Sequence, residues 1–425
     1  MSRTVEIAHS NNICISCGIC KNVCPKSCIT YKREKGLFQP LIDNSKCIDC
    51  GLCSKVCPGL NMSFNYSQPI DAVYGFVKKS YNAWSRNEEC RYKSASGGVI
   101  STIISELILN DIYDSAFVVD TYDYSSQVLT KRITKQDITD GDFYNSVPKS
   151  RYLPVSHENL ISYIKKNRDE KVIIIGTSCA LQGISKAINT LNLDREKYLL
   201  VGLFCDKVYN YNIYQYYDDN FFDGKNLSSL HFKNKESGGW PGNMKLFFDD
   251  DTTEYLDKSE RIKTKDFFMP ERCLYCIDKL NIYADISLGD NYTNINSSEK
   301  GSNSVIIRTE LGEKIWNYVS NAIEYCPVDI TEIHKAQYLD GRVNNLYFAE
   351  LKSRKINKKN KNKIQLISNV KGNKNMFEYE YAWKNKLLLL SQGISYSKNY
   401  SLSKNKFSFI NKLLYYCYRI KSKFM

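Results

Sequence analysis

Apolar and polar positions sort the chain into four stretches. In residues 168–330, Lys171–Gly176 (KVIIIG) is a continuous apolar run of the kind buried on both faces of a sheet. Leu181, Ile184, Ile188 and Leu191 then fall on one helical face, and Tyr198–Phe204 (YLLVGLF) is a second buried run. This predicts a β-α-β unit whose crossover is long enough to make the two strands parallel. Further strands are expected at Lys245–Phe248, Ala284–Leu288 and Ser304–Arg308, with a helix near Glu313–Ile323. Upstream, residues 70–165 also read as α/β. Ile100, Ile103, Ile104, Leu107 and Ile108 keep helical spacing, and Ala116–Val119 reads as a strand. Residues 1–68 carry two cysteine runs with one brief element expected between them. From about residue 350 the pattern fades. Lys352–Lys363 is a lysine and asparagine run expected as a solvated linker, and Asn405–Phe424 predicts an amphipathic helix with Phe409, Leu413, Cys417 and Ile420 on one face.

Composition changes this picture in three places. The formal charge of +13 over 425 residues is uneven. Residues 351–425 hold 18 Lys or Arg against two Glu, a net of +16, which leaves −3 for the first 350. A mildly acidic body with a basic tail argues against general nucleic-acid binding. No apolar run reaches 18 residues and Met1–Ser10 has no apolar leader core, so a cytoplasmic protein is expected. Sixteen cysteines in such a chain point to metal or redox ligands rather than disulfides, and with only four histidines, histidine-centred acid–base chemistry is not expected.

The cysteines carry the strongest signal. Cys14–Pro25 (CISCGICKNVCP) recurs at Cys47–Pro58 (CIDCGLCSKVCP), offset by 33 residues. The spacing C-x2-C-x2-C-x3-C-P is the bacterial ferredoxin run, in which the fourth cysteine ligates the other cluster. One [4Fe–4S] cluster is therefore assigned to Cys14, Cys17, Cys20 and Cys57, and the second to Cys47, Cys50, Cys53 and Cys24. Gly18 and Gly51 let the backbone turn tightly against the cluster. A zinc module would leave the third cysteine of each run unused. Cys28 is read as packing, not as a ninth ligand.

A second set follows: Cys179, Cys205, and Cys273 with Cys276. The first two lie just past the carboxyl ends of the two predicted parallel strands, on the edge where open α/β sheets bind ligands. A third [4Fe–4S] cluster, a structural zinc site and unrelated buried cysteines all fit this spacing. Cys90, Cys326 and Cys417 have no partner pattern. Asp249–Asp251 reads as a hairpin turn, not as a glycosyltransferase-like DxD.

Ser94, Ser96, Gly97 and Gly98 precede the predicted helix at Ile100, where free N–H groups and the helix dipole favour an anion. An ordinary serine N-cap is the simpler alternative. Gly289 and Asp290 end the strand ADISLG, and Gly176 and Thr177 end KVIIIG; these polar turns are further cofactor-binding candidates.

Several segments together are similar to the coenzyme F420 hydrogenase/dehydrogenase beta-subunit family. RYKSASGGV (Arg91–Val99) resembles its R-x-x-S-x-S-G-G segment and PKSRYLPVS (Pro148–Ser156) its G-S-K-Y stretch. IGTSCALQGI resembles G-T-P-C-Q-x-x-G, LFCDK the following C-H-G, and ERCLYC the late C-x2-C. DISLGDNY is similar to D-I-T-I-G-D-F-W, and GSNSVIIRT to the last strand. The order is kept and the likeness spans about residues 1–330. Ser178 stands where proline is usual, Ala180 where glutamine is usual, and Asp206-Lys207 replace His-Gly; every cysteine remains.

The resemblance implies an iron–sulfur flavoprotein oxidoreductase. FAD would lie between the clusters and a hydride-exchanging substrate, such as an F420-type deazaflavin. Ser96, Gly97 and Gly98 would touch FAD phosphates, and Cys179, Cys205, Cys273 and Cys276 would hold a cluster near the flavin. Relatives also occur beside polysaccharide-assembly genes. The alternative is a non-enzymatic, ferredoxin-like electron-transfer protein serving a partner enzyme. No catalytic residue is assigned, and the expected partners are a redox protein or a small hydride acceptor or donor, not nucleic acid. The basic tail is read as a solvated extension, with peripheral contact to an anionic membrane face as the sharper alternative.

The expected fold class is α/β: an α+β ferredoxin-type domain, a mixed α/β flavoprotein body and a basic helical tail. The divisions are 1–68 (repeats about 5–34 and 38–67), 70–165, 168–330 and 350–425.

Overall fold

The computed structural model describes residues 4–60, 62–63, 69–120, 126–141, 143–146, 149–360 and 366–368. Its centre is an eight-stranded mixed sheet. From one edge to the other the strands are Ile323–Pro327, Lys79–Ser85, Asn303–Ile307, Ile286–Asp290, Tyr198–Leu203, Val172–Thr177, Ser115–Val119 and Thr130–Ile133. The four from Ile286–Asp290 to Ser115–Val119 are mutually parallel. Asn303–Ile307 runs antiparallel to both its neighbours. The fold is therefore α/β, and strands from both of the expected body blocks interleave in this one sheet.

The apolar runs form these strands because both sheet faces are covered. Helix Val99–Leu109 packs its Ile103, Ile104, Leu107 and Ile108 into one core with Ile173, Leu199, Val201 and Trp316. Helix Ser178–Thr190 lays Leu181, Ile184 and Ile188 on the other face, against Ile174, Leu200 and Ile164. The parallel pair Val172–Thr177 and Tyr198–Leu203, joined through that helix, matches the β-α-β reading.

A three-stranded antiparallel sheet, Leu227–Asn234, Asn243–Phe248 and Thr253–Leu256, stands apart over an aromatic core of Tyr209, Tyr211, Tyr217, Phe222, Phe232 and Phe268. The Asp249–Asp251 turn joins two of its strands, with Asp251 at φ +62° and the Asp250 carboxylate accepting the Thr252 N–H at 3.0 Å.

Three expectations change. The segment between the cysteine runs is a hairpin of two strands, Ile29–Glu34 and Leu37–Ile42, not one element. The helix expected near Glu313–Ile323 spans Glu310–Val319, and Ile323 opens an edge strand. The lysine and asparagine run is not a linker at its start, because helix Asp340–Asn360 continues through it. Lys352, Ser353 and Ile356 are buried there, and the Lys352 ammonium reaches Glu271 at 2.6 Å. The amphipathic segment Asn405–Phe424 and Cys417 lie outside the described residues.

Candidate iron–sulfur and cofactor site

The two cysteine runs fold alike, residue for residue. Ser16 and Asp49 sit at φ +57° and +48°, Gly18 and Gly51 at +73° and +76°, and each glycine opens a short helix, Ile19–Val23 or Leu52–Lys55. The Cys14 sulfur accepts the Ser16 N–H at 3.4 Å, and the Cys47 sulfur accepts the Asp49 N–H at 3.4 Å. These left-handed turns aim backbone donors at sulfur, which favours thiolate.

The eight cysteines divide between two cavities. Cys14, Cys17, Cys20 and Cys57 line one with Gly18, Tyr31 and Pro58. Cys24, Cys47, Cys50 and Cys53 line the other, and Cys28 joins them. Among the described residues no three His, Cys, Asp or Glu side chains are gathered closely enough to hold one metal ion. The thiols surround a space instead of converging on a point.

The two cavities differ in their contact with water. Cys50 is exposed and Ile48 is 58% exposed, so the second cavity opens to solvent. The first is the more enclosed: Cys20 is buried, and Cys14, Cys17 and Cys57 are half-buried. Burial, and then the neighbouring thiolates, push Cys17 and Cys20 well above their usual range, and burial pushes Cys14 up to about 12. A donor set of this kind ionises together only around a cationic core, so the residues fit an iron–sulfur cluster. The Tyr31 hydroxyl is 3.1 Å from the Cys20 sulfur and is placed to donate to it.

The body cysteines lie near enough for their charges to act on one another. Cys179 is the second residue of helix Ser178–Thr190, and Cys205 follows Leu203 on the same sheet edge. Cys273 lies in the short 3-10 turn Glu271–Tyr275, and Cys276 caps it. Burial raises Cys205 most, followed by the charges of Cys179, Cys273 and Cys276; burial pushes Cys179 up to about 12, and Cys276 and Cys273 add to it. The Asp206 that follows Cys205 is bonded to Arg342, at 2.6 Å through its carbonyl and also through its carboxylate, and lies 3.5 Å from Lys207. Asp206 thus ties the cysteine loop to helix Asp340–Asn360, and Lys207 pairs with Asp266.

From the cysteines the carboxyl edge leads to the glycine-rich turn. Thr177 Oγ1 is 3.6 Å from the Cys179 sulfur. Phe204 fills the space beside Gly289, where a Cβ would come within 2.5 Å of it. Asn303 donates to the Gly289 carbonyl at 3.0 Å and pairs with Asp290 across the strands. Gly97 lies against Asn303, with room for no Cβ, since one would stand 2.7 Å from Asn303 Oδ1. That buried oxygen accepts no hydrogen bond among the described residues.

Gly98, at φ +82°, caps helix Val99–Leu109. Ser94 and Ser96 turn inward: Ser96 donates to the Ser302 carbonyl at 2.7 Å, and the Ser94 hydroxyl is 3.5 Å from that of Ser101. Gly176 packs against Leu181. Ser94, Ser96 and Gly176 are thus engaged within the protein, while Gly97, Gly289 and Asp290 gather around Asn303 and Gly98 packs against Arg91 and Cys90.

Several polar groups here carry no sequence pattern. Asp290 pairs with the buried Lys233, accepts from the Tyr292 hydroxyl at 3.1 Å and from Trp240 Nε1 at 3.3 Å, and is held below the usual carboxylate range by Lys233 against the cost of its burial. Lys235 donates to the carbonyls of Arg91, Ser96 and Lys300, each at 2.6 Å. Burial pushes Lys235 down to about 7, yet three acceptors need three N–H, which only the ammonium has. We therefore read it as charged. Lys149 donates to the Lys93 carbonyl at 2.5 Å, and burial pushes it down to about 8. Cationic side chains under a glycine turn at a helix start fit a phosphate-bearing cofactor.

Comparison with known proteins supports the iron–sulfur reading of the cysteine repeat. Residues 13–59 match the 4Fe-4S dicluster domain, and residues 169–332 match the family described as the C terminus of the coenzyme F420 hydrogenase/dehydrogenase beta subunit. The chain is thus an iron–sulfur protein. Its residues 169–332 are similar to that beta-subunit family, and the N-terminal repeat is a dicluster module that carries [4Fe–4S] clusters. The coenzyme F420-dependent sulfite reductase of Methanocaldococcus jannaschii is 26% identical over 359 residues, 79% of this chain and 50% of that protein. The chain therefore spans about half the length of that relative. One of the subunits of the F420H2 dehydrogenase of Methanosarcina mazei is 22% identical over 329 residues, 74% of this chain and 84% of that protein. A chain of the F420-reducing [NiFe] hydrogenase complex of Methanosarcina barkeri aligns at 20% identity with a TM-score of 0.46, covering 64% of this chain and 93% of that one.

Proposed function

We propose that the protein is an iron–sulfur flavin-dependent oxidoreductase moving electrons between a redox partner and a hydride-exchanging substrate. The observation that carries this reading is one helix. Ser178–Thr190 brings Cys179 at its start and, one turn on, Gly183 against Pro58, the residue after Cys57. The inner dicluster cavity and the body cysteines are thereby neighbours. Burial then suggests an order: the solvent-facing cavity of Cys24, Cys47, Cys50 and Cys53, the inner cavity, the body cysteines, and last the glycine turn.

The four body cysteines would hold a third [4Fe–4S] cluster, and Gly97, Gly98, Asn303 and the Asp290–Lys233 pair would border FAD. Bound there, FAD supplies the junction between two-electron hydride exchange and one-electron clusters. The chain's own residues give that site its dry walls, through Phe204, and its cationic floor, through Lys235 and Lys149. The exposed Ile48 and Cys50 edge is where a protein partner would dock. An F420-type deazaflavin is the first substrate to test, because both curated relatives are named for F420; a polysaccharide-linked substrate has no structural feature supporting it.

Anaerobic purification followed by iron, sulfide and flavin analysis tests the scheme. About twelve irons and one flavin per chain are expected. About eight irons and no flavin would instead leave the alternative, a ferredoxin-like electron-transfer protein serving a partner enzyme.

A further inference from the structure

Arg272 stands between the two thiol sets with most of its hydrogen-bonding capacity unused. It is 3% exposed and immediately precedes Cys273. Its Nη2 donates to the Pro58 carbonyl at 3.3 Å, next to Cys57. Its Nε and Nη1 are buried and have no partner among the described residues. The adjacent carboxylate does not neutralise it, because Glu271 is held by the Lys352 ammonium at 2.6 Å and the Tyr275 hydroxyl at 2.5 Å. Its positive charge lies between Cys57, whose neighbour Pro58 it bonds, and Cys273, which follows it in the chain.

An unpaired guanidinium in the interior is costly unless a negative charge lies beside it. A four-thiolate [4Fe–4S] centre is an anion in both of its working oxidation states. Two such centres on either side would balance the charge and give the free N–H groups sulfur acceptors. We propose that Arg272 is the shared counter-ion of the cluster of Cys14, Cys17, Cys20 and Cys57 and the cluster of Cys179, Cys205, Cys273 and Cys276, and that it sets the potential of both. The proposal rests on the third-cluster reading for its second half only. The added electron makes each cluster more negative, so the cation favours the reduced state and raises the potential. Arg272 is in this sense a positioning residue for electron transfer, not a ligand.

The test is an EPR-monitored redox titration of the purified holoprotein, with iron counts, for the wild type, R272K, R272M and R272Q. In R272M the two flanking clusters are expected to become harder to reduce by about tenfold in equilibrium constant, or about 59 mV for a one-electron couple. The cluster of the exposed cavity should not move. R272K keeps the charge and should retain most of the potential. R272Q keeps an N–H for the Pro58 carbonyl and is the neutral variant to use if methionine is not tolerated. Iron loss in both neutral variants but not in R272K would support the counter-ion role. Unchanged potentials in a neutral variant, an equal shift of all three clusters, or iron loss in R272K as well would overturn it. If the wild type holds about eight irons, the third-cluster reading fails by itself. The shift of the Cys57 cluster against the exposed one then still decides the role of Arg272.

Discussion

Gly183 and Pro58 touch across the join between the dicluster module and the sheet. A Cβ on Gly183 would stand 3.2 Å from Pro58 Cδ and 2.6 Å from Ile19 Cδ1. Ile19 is fully buried and has little room to yield. Gly183→Val is therefore expected to destabilise the protein by about 1–3 kcal/mol through overpacking, whereas Gly183→Ala trades a smaller clash against better helix propensity. Chemical denaturation of both variants checks this. A valine variant as stable as the wild type would mean that the contact is loose.

Cys28 lines the exposed cavity, and its sulfur is 3.4 Å from that of Cys24. It is 4% exposed, so the packing reading holds, but the thiol also reaches the cluster space. Cys24→Ser is expected to keep most of its iron by recruiting Cys28. The double variant Cys24→Ser/Cys28→Ser is expected to lose about four irons. Equal iron loss in the single and double variants would show that Cys28 does not substitute.

In the Asp290–Lys233 pair at the glycine turn, Lys233 is buried and Asp290 is partly exposed. Asp290→Asn leaves Lys233 buried without its charge partner and should cost about 3–5 kcal/mol, and Lys233→Met added to it should restore part of the loss. Asp290 is lowered and Lys233 raised by the contact. The stabilisation is therefore lost on the acid side as pH falls through the folded carboxylate value, and on the alkaline side only above the usual lysine range. A difference in urea midpoint between the wild type and Asp290→Asn that stays constant from about pH 5 to 9 is the expected pattern.

Lys352 lies in the run that reads as a linker, yet it pairs with Glu271, which is 5% exposed. Lys352→Met leaves that carboxylate buried beside Arg272 and should destabilise the protein by about 3 kcal/mol or more. A shift in thermal midpoint measures it. A variant indistinguishable from the wild type would mean that Glu271 finds a new partner, Arg272 being the nearest cation in sequence.

Much of the frame was readable because its signals are local. KVIIIG and YLLVGLF fix two parallel strands and the edge on which Cys179 and Cys205 must meet. The repeated cysteine spacing states its own chemistry. What escaped depends on distant partners. Arg272 has no periodicity to mark it, and its acceptor is 214 residues away in sequence. Lys352 looks like any solvated lysine until Glu271 is brought beside it. Leu227–Asn234 escaped because LSSLHFKN alternates weakly, and its place is set by pairing with Asn243–Phe248.

The division of the cysteines has a consequence for how the protein is loaded. Cys57 belongs to the cavity built mostly by the first run, and Cys24 to the cavity built mostly by the second. Neither run alone encloses a four-thiol space, so each cluster that forms helps to close the other's. Scarce iron would then be distributed unevenly, with some chains fully charged and others empty, and few left half-filled.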